Sequence, residues 1–135
     1  MAGYSGTLLV KKLGIKEGFT ISIINRPANY NELIGAFPSG VKSAKKNSSE
    51  IDFIHLFVKN KIELNEKLPQ QKKLLKPGGM IWVSWYKKST GFETDVTENN
   101  IREAAFLLGL VDVKVCAVDE MWSGLKLVIR KENRK

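Results

Sequence analysis

The chain has 135 residues, a length that suits one domain with its own hydrophobic core, and its 43% hydrophobic content argues against a disordered chain. The chain has one cysteine, Cys116, and one histidine, His55, and this composition excludes an internal disulfide and a conventional zinc site. The net charge of +8 favours anionic partners, namely phosphorylated small molecules, nucleic acid or acidic proteins, although a solvated basic surface has the same charge.

The first part of the chain alternates short helices with strands. Helices are predicted where leucines recur at a spacing of three to four residues, and strands where β-branched residues cluster between turn residues. In chain order we predict a helix over Thr7–Leu13 that stops at Gly14, a strand over Phe19–Asn25, a short helix capped by Asn29 or Asn31 that runs to Phe37, and a weak strand over Val41–Ala44.

The middle of the chain contains the clearest strand. Ile51–Val58 (IDFIHLFV) is almost continuously apolar, as a central parallel strand must be when helices cover both faces of the sheet. Lys59–Leu75 has the apolar spacing of a helix, and Pro69 is expected to break or kink it and to start a second short helical piece. Leu75–Gly79 (LKPGG) then stops the helix, and Met80–Tyr86 (MIWVSWY) is a predicted strand.

The last third of the chain predicts a polar loop, one helix and a hairpin. The helix has a buried stripe of apolar residues between a capping residue and a terminal glycine. In chain order we predict a loop over Lys87–Asp95, a helix capped by Asp95 or Thr97 that runs to Leu108 and stops at Gly109, and two strands, Val111–Val118 and Leu125–Arg130, joined by a turn near Asp119–Gly124.

Strands that alternate with helices indicate an α/β fold with a parallel sheet and right-handed crossovers. Because the last two strands form a hairpin, one antiparallel strand joins this mostly parallel sheet. We expect residues 1–130 to form a single domain and residues 131–135 to form a basic tail. No apolar run approaches the ~18–20 residues that span a bilayer, and the N-terminus lacks the layout of a secretory signal, so we predict a cytoplasmic protein.

The order of elements resembles the Rossmann-like architecture of methyltransferases, with helices in layers on both faces of the sheet. Four segments carry a closer resemblance to an uncharacterised bacterial family called domain of unknown function 3052. The resemblance implies a three-layer, Rossmann-like fold and no established activity. The segments are Gly3–Lys12 (GYSGTLLVKK), Ile51–Val58, Leu75–Lys88 (LKPGGMIWVSWYKK) and Thr94–Arg130, which includes the distinctive Val113–Arg130 (VKVCAVDEMWSGLKLVIR).

The loop after the first strand argues against an adenosylmethionine or dinucleotide site. Such cofactors approach the chain closely at this loop, which glycines permit and free backbone N–H groups support. Here the loop reads Arg26-Pro27-Ala28-Asn29-Tyr30, without a glycine and with one donor lost at the proline. After the second strand, Lys45 and Lys46 stand where an acidic residue would bind ribose hydroxyls. We therefore predict no cofactor and disfavour adenosylmethionine.

Basic residues follow three of the predicted parallel strands at their carboxyl ends, where ligands of open parallel sheets bind. We expect an anion-binding crevice there, in which an arginine makes forked contact with a phosphate or carboxylate and lysines act as point charges. The alternative is that these loops are simply hydrated. We predict no catalytic or metal-binding residue, and the predicted ligand-binding residues are Arg26, Lys59, Lys87, Lys88, Asp95, Asp119 and Trp122.

His55 lies in the middle of a predicted buried strand, away from the strand end where substrates bind. If the strands at 51–58 and 80–86 pair in parallel from their starts, Ser84 falls opposite His55, and a hydrogen bond between them satisfies both groups. We therefore interpret His55 as structural and Cys116, inside a strand, as a small hydrophobic residue. Trp85 is expected to reach Trp122 if the last strand lies beside it.

The sequence leaves three functions open. The leading interpretation is a non-catalytic, methyltransferase-like module that binds a small anionic ligand or partner at the carboxyl edge of the sheet. One alternative is an adenosylmethionine-dependent methyltransferase with an atypical cofactor pocket. The other is a nucleic-acid-binding accessory protein, although the chain lacks the exposed aromatic and basic motif that single-strand readers share.

Overall fold

Six strands form one sheet in the computed structural model of the protein, which describes residues 8–46 and 48–134. The described residues form four α-helices, of which the first precedes the sheet and the other three connect strands, and 3₁₀ turns cover Lys88–Thr90 and Lys131–Asn133. The strands are β1 (Thr20–Ile24), β2 (Lys42–Ser43), β3 (Ile51–Phe57), β4 (Leu75–Tyr86), β5 (Leu110–Ala117) and β6 (Trp122–Ile129). The helices are α1 (Leu9–Leu13), α2 (Tyr30–Ile34), α3 (Lys61–Leu74) and α4 (Glu98–Leu107).

The sheet has the strand order β2-β1-β3-β4-β6-β5. Strand β1 pairs in parallel with β2 and β3, and β3 pairs in parallel with β4. Strand β6 is antiparallel to both of its neighbours, β4 and β5. This topology confirms the predicted α/β fold, a mostly parallel sheet that one antiparallel strand joins through the C-terminal hairpin.

Two hydrophobic clusters lie on opposite faces of the sheet and give the fold its three layers. One cluster joins β3 and β4 to α3 and α4, for example through Leu64 and Ile101. The other joins the same strands to α1 and α2 through Leu13 and Tyr30. All seven residues of β3 except Asp52 are buried, because helices cover this strand from both sides. That double burial explains the continuous apolar run in the sequence.

The helix α3 runs without interruption from Lys61 to Leu74, so Pro69 does not break it and the predicted second helical piece is wrong. A proline in a helix removes one N–H bond to the carbonyl four residues earlier. Here that carbonyl belongs to Asn65, which is an exposed residue. Leu68, which packs in the core, precedes the proline, and the burial of this face holds the helix together.

Other predicted boundaries shift by a few residues. The helix α2 ends at Ile34 and not at Phe37, because Gly35 takes a positive φ of 78°. Strand β4 begins at Leu75, five residues before the predicted start, and pairs there with Ile51 before a bulge. The predicted start of the first helix, Thr7, lies outside the described residues, as does Lys135 at the end of the predicted tail.

The described residues contain no helix with the length and apolar character that a membrane span requires.

Gly79 sits where β4 passes closest to β3, and this contact generates a sharp stability prediction. A Cβ atom at Gly79 would lie 2.9 Å from the carbonyl oxygens of Ile51 and Asp52, whereas Gly78 has no atom within 4 Å of such a position. We expect Gly79→Ala to lower the free energy of unfolding by about 1–3 kcal/mol through overpacking. The matched Gly78→Ala change should leave it unchanged or raise it slightly.

Urea unfolding of both variants measures the difference. Equal stability of the two alanine variants would contradict the close approach of the two strands.

Candidate functional site

The parallel strands β1, β3 and β4 end at one edge of the sheet, and β6 begins at that edge because it runs the opposite way. The register places Tyr86, the last residue of β4, beside Trp122, the first residue of β6. Arg26 and Lys59 follow β1 and β3 by two residues each. The topology therefore gathers the basic residues that follow different strands at this carboxyl edge.

A cleft of about 280 Å³ opens at the carboxyl edge between the ends of β1, β3 and β6, and we call it the edge cleft. It combines two cations with one carboxylate, one amide and two aromatic rings. Arg26 and Lys59 are both exposed there, whereas Trp122 is buried except for a small part of its surface. The residues that line the edge cleft are Asn25, Arg26, Phe57, Lys59, Glu63 and Trp122.

The guanidinium group of Arg26 is held in place from two sides. Its Nη1 donates a hydrogen bond to Oδ1 of Asn31 at 2.9 Å. Its central carbon lies 5.7 Å from the centroid of the Tyr30 ring, within range of a cation–π contact. Burial raises the pKa of the Tyr30 phenol, and the neighbouring Arg26 charge acts in the opposite direction. Arg26 is therefore oriented before any ligand arrives.

Tyr30 is in turn fixed by a buried polar network with His55 and Ser84. The Tyr30 hydroxyl is hydrogen-bonded to His55 Nδ1 at 2.9 Å, and His55 Nε2 to the Ser84 hydroxyl at 2.8 Å. All three side chains are fully buried. The predicted hydrogen bond between His55 and Ser84 is confirmed, although the register pairs His55 with Trp82, so that the bond runs diagonally across the two strands.

Sequence reasoning missed a second clamp at the edge cleft, which joins β1 to the start of α3. Asn25, in a left-handed conformation with φ of 60°, donates through Nδ2 to the Phe57 carbonyl at 2.9 Å and to Glu63 Oε2 at 3.2 Å. Glu63 Oε1 accepts from the Lys59 amide at 2.7 Å, and its own amide donates to Asn60 Oδ1 at 2.8 Å. The Asn-x-x-Glu spacing, an N-cap signature, could have found Glu63.

Lys88 and Asp95 lie outside the edge cleft, in a neighbouring groove of about 820 Å³ that shares Lys59 with it. Asp95 Oδ1 accepts from the amide of Lys61 at 2.8 Å, so this carboxylate satisfies the N-terminus of α3. Thr97, and not Asp95, caps α4. The residues that line the groove are Lys59, Asn60, Lys88, Gly91, Phe92, Glu93, Thr94 and Asp95.

Asp119 and Trp122 were expected on a turn that faces a ligand, and the structure gives them a larger packing role. Oδ1 of the buried Asp119 accepts from the amides of Met121 at 2.9 Å and Trp122 at 2.8 Å, which closes the hairpin turn. Trp122 stacks on Tyr86 with ring centroids 4.4 Å apart. Its ring nevertheless forms one wall of the edge cleft.

Two further predicted placements differ from the structure. Trp85 and Trp122 belong to the hydrophobic clusters on opposite faces of the sheet, so the predicted contact between them is wrong. Lys87 lines neither the edge cleft nor the neighbouring groove. Within the described residues, no group of three or more His, Cys, Asp or Glu side chains is placed to hold a metal ion.

Comparison with known proteins supports the fold. A family model described as "Protein of unknown function (DUF3052)" matches residues 42–131, as the sequence resemblance implied. No curated protein matches the chain. A SAM dependent methyltransferase from Aquifex aeolicus has a similar structure, with a TM-score of 0.59 and 16% identity over 90% of this chain and 88% of that chain.

Two further solved structures show the same fold at low identity. A protein from Pyrococcus horikoshii OT3 has a TM-score of 0.62 and 11% identity over 90% of this chain and 86% of that chain. Aeropyrum pernix fibrillarin, in complex with natively bound S-adenosyl-L-methionine, has a TM-score of 0.60 and 13% identity over 90% of this chain and 72% of that chain. The fold is therefore Rossmann-like and methyltransferase-like.

The buried imidazole predicts a specific dependence of stability on pH. Burial lowers the pKa of His55 from 6.5 to about 3. Above pH 6.5 the free energy of unfolding is unaffected, because His55 is neutral in both the folded and the unfolded chain. Below pH 6.5 the free energy of unfolding falls, because the unfolded chain binds a proton that the native protein excludes. At pH 5 this linkage should remove about 2 kcal/mol from the free energy of unfolding.

The His55→Gln variant, which keeps a polar side chain, should lose this part of the pH dependence. Urea unfolding of both proteins at several pH values between about 7.5 and 5 measures the two slopes. Parallel pH curves for the two proteins would show that His55 is not buried in its neutral form.

Proposed function

We propose that this protein, which belongs to the DUF3052 family of unknown function, binds a small anionic ligand in the edge cleft. The observation that carries the proposal is that Arg26 and Lys59 follow different strands and line one cavity. Ligands of open parallel sheets bind outside the carboxyl ends of the strands, which is where this cavity lies. Its volume of about 280 Å³ suits a small molecule.

The side chains around the edge cleft favour a phosphate or carboxylate group joined to a polar body. Arg26 can offer its guanidinium fork to such a group, and Lys59 adds a point charge that needs no fixed geometry. Glu63 can accept a hydrogen bond from a ligand hydroxyl, since a carboxylate has more acceptor sites than its two present partners use. The Trp122 ring offers an apolar wall. A sugar phosphate or a mononucleotide combines these features.

The role we propose is binding without catalysis. His55 is fully buried beneath Tyr30 and lies in a strand interior, so it has no route to a ligand in the edge cleft. Burial raises the pKa of the Cys116 thiol, against the opposing effect of nearby lysines, and this disfavours the reactive thiolate. Glu63 has a structural role, since its hydrogen bonds join the segment after β1 to the start of α3.

A second candidate is an adenosylmethionine-dependent methyltransferase with an atypical cofactor pocket. Two structural neighbours favour it, since one is a SAM dependent methyltransferase and another, a fibrillarin, holds natively bound S-adenosyl-L-methionine. The loop after β1 speaks against it, because Arg26 and Pro27 add bulk where a cofactor needs close approach to the backbone. Tyr30, four residues further on, fills the space beneath the loop.

A thermal-shift screen tests the proposal with inorganic phosphate, ribose phosphate, adenosine monophosphate and adenosylmethionine. A ligand at about 100 times its Kd adds about 2.7 kcal/mol to stability, which raises Tm by several degrees in a domain of this size. We expect a shift with at least one phosphorylated compound. The Arg26→Ala/Lys59→Ala variant should lose that shift.

The matched control is Lys73→Ala/Lys131→Ala, which removes the same charge from the last turn of α3 and from the 3₁₀ turn that follows β6. It should keep the shift, because both residues lie at the opposite edge of the sheet. If both variants lost the thermal shift equally, the net charge of the protein and not the edge cleft would explain the shift. A shift with adenosylmethionine alone would overturn the proposal in favour of the methyltransferase.

A further inference from the structure

A second basic surface lies on the sheet away from the edge cleft, on the strands β5 and β6. Lys114 and Lys126 are direct cross-strand partners, so their side chains project from the same face. Lys126 is also paired with Trp82 of β4, whose indole N–H donates to the carbonyl of Leu13 at 2.8 Å. Both lysines therefore lie on the same face of the sheet as α1.

More lysines surround this pair. Lys12 reaches across from α1, and its Nζ donates to the carbonyl of Ala117, the last residue of β5, at 3.4 Å. The pKa of Lys126 is lowered, first by burial and then by the neighbouring charges of Lys114 and Lys16. Lys12, Lys114 and Lys87 all act on the thiol of Cys116. We call this surface the lysine face, and it comprises Lys12, Lys16, Lys87, Lys114 and Lys126.

The lysine face carries positive charge that no salt bridge within residues 8–46 and 48–134 neutralises. Among the described residues, salt bridges form at Lys67, Lys76, Arg102 and Arg130, and none involves a member of the lysine face. Like charges directly opposite each other on neighbouring strands destabilise a sheet. The pair Lys114–Lys126 therefore costs stability in the free protein, and a bound polyanion would relieve that cost.

We propose that the lysine face binds the phosphate backbone of a nucleic acid. Lysines clustered in this way favour a partner of dense negative charge, and a duplex carries one charge per ~1.7 Å of its axis. An acidic peptide offers at most one charge per residue, or about 3.3 Å of extended chain. Lysines act as point charges and read no base edges, so the contact is independent of nucleotide sequence. The inference does not depend on the edge cleft.

Fluorescence anisotropy with a labelled DNA duplex, from about 50 to 200 mM salt, tests the proposal. If all five lysines contact phosphates, the slope of log K against log salt should be about −4.5, since each contact contributes about −0.9. The Lys114→Gln/Lys126→Gln variant should have a slope shallower by about 1.8 and an affinity lower by roughly tenfold or more. Its Tm should not fall, because the substitution removes a like-charge pair.

The control variant Lys73→Gln/Lys131→Gln has the same net charge and should bind as the unmodified protein does. Equal weakening in both variants would assign binding to net charge and overturn the lysine face as a site. Binding to polyglutamate as tight as to the duplex would overturn the choice of partner, and so would the absence of duplex binding. The edge cleft is tested separately: if phosphate no longer stabilises the Arg26→Ala/Lys59→Ala variant while that variant still binds the duplex, the lysine face stands as a distinct site.

Discussion

The buried imidazole of His55, in the central strand, holds together the end of the molecule that contains the edge cleft. An uncharged histidine has two ring nitrogens, and inside a protein both need partners. His55 finds Ser84 on the neighbouring strand and Tyr30 at the start of α2, at 2.8 and 2.9 Å. The two bonds join β3, β4 and the segment after β1, and all three side chains are fully buried. The loop that carries Arg26 is thereby held to the sheet, with the guanidinium above the Tyr30 ring.

The topology of the sheet determines which side chains meet at the carboxyl edge. Parallel strands end together, so residues far apart in the chain, such as Arg26 and Lys59, share a cavity. Glu63 and Asn25 fix the floor of that cavity by hydrogen bonds between β1 and α3, and Trp122 closes one side. The lysine face differs in kind, since it is built around a cross-strand pair of lysines, Lys114 and Lys126. A small ligand with fixed geometry suits the edge cleft, and a polyanion suits the lysine face.

The fold could be predicted from the sequence because its signals are local and redundant. The apolar run of β3, the cap at Thr97 and the alternation of strands with helices all point to the same layers. Pro69 misled because the cost of a proline depends on which carbonyl loses its partner, and no sequence pattern records that Asn65, which carries that carbonyl, is an exposed residue. Trp122 misled because Trp-Ser-Gly reads as a turn, whereas its ring is held in a strand by stacking on Tyr86.

The partners within the site were harder to predict than its location. A buried histidine demands two hydrogen bonds, and pairing of neighbouring strands suggested Ser84. Nothing in the local pattern pointed to Tyr30, which lies in a different segment. The predicted crevice also divides in two, because Lys88 and Asp95 line the neighbouring groove and only Lys59 belongs to both cavities. Side-chain packing decides such divisions, and topology alone does not.

The most direct test of the central claim, anion binding in the edge cleft, is a phosphate titration followed by NMR of the tryptophan indole N–H groups. The Trp122 ring lines the edge cleft, whereas the Trp82 N–H is buried against the Leu13 carbonyl and serves as an internal control. The account predicts a saturable shift of the Trp122 resonance that Arg26→Ala weakens, while the Trp82 resonance stays fixed. A Trp122 resonance that phosphate does not move, or that moves equally in the Arg26→Ala variant, would contradict it.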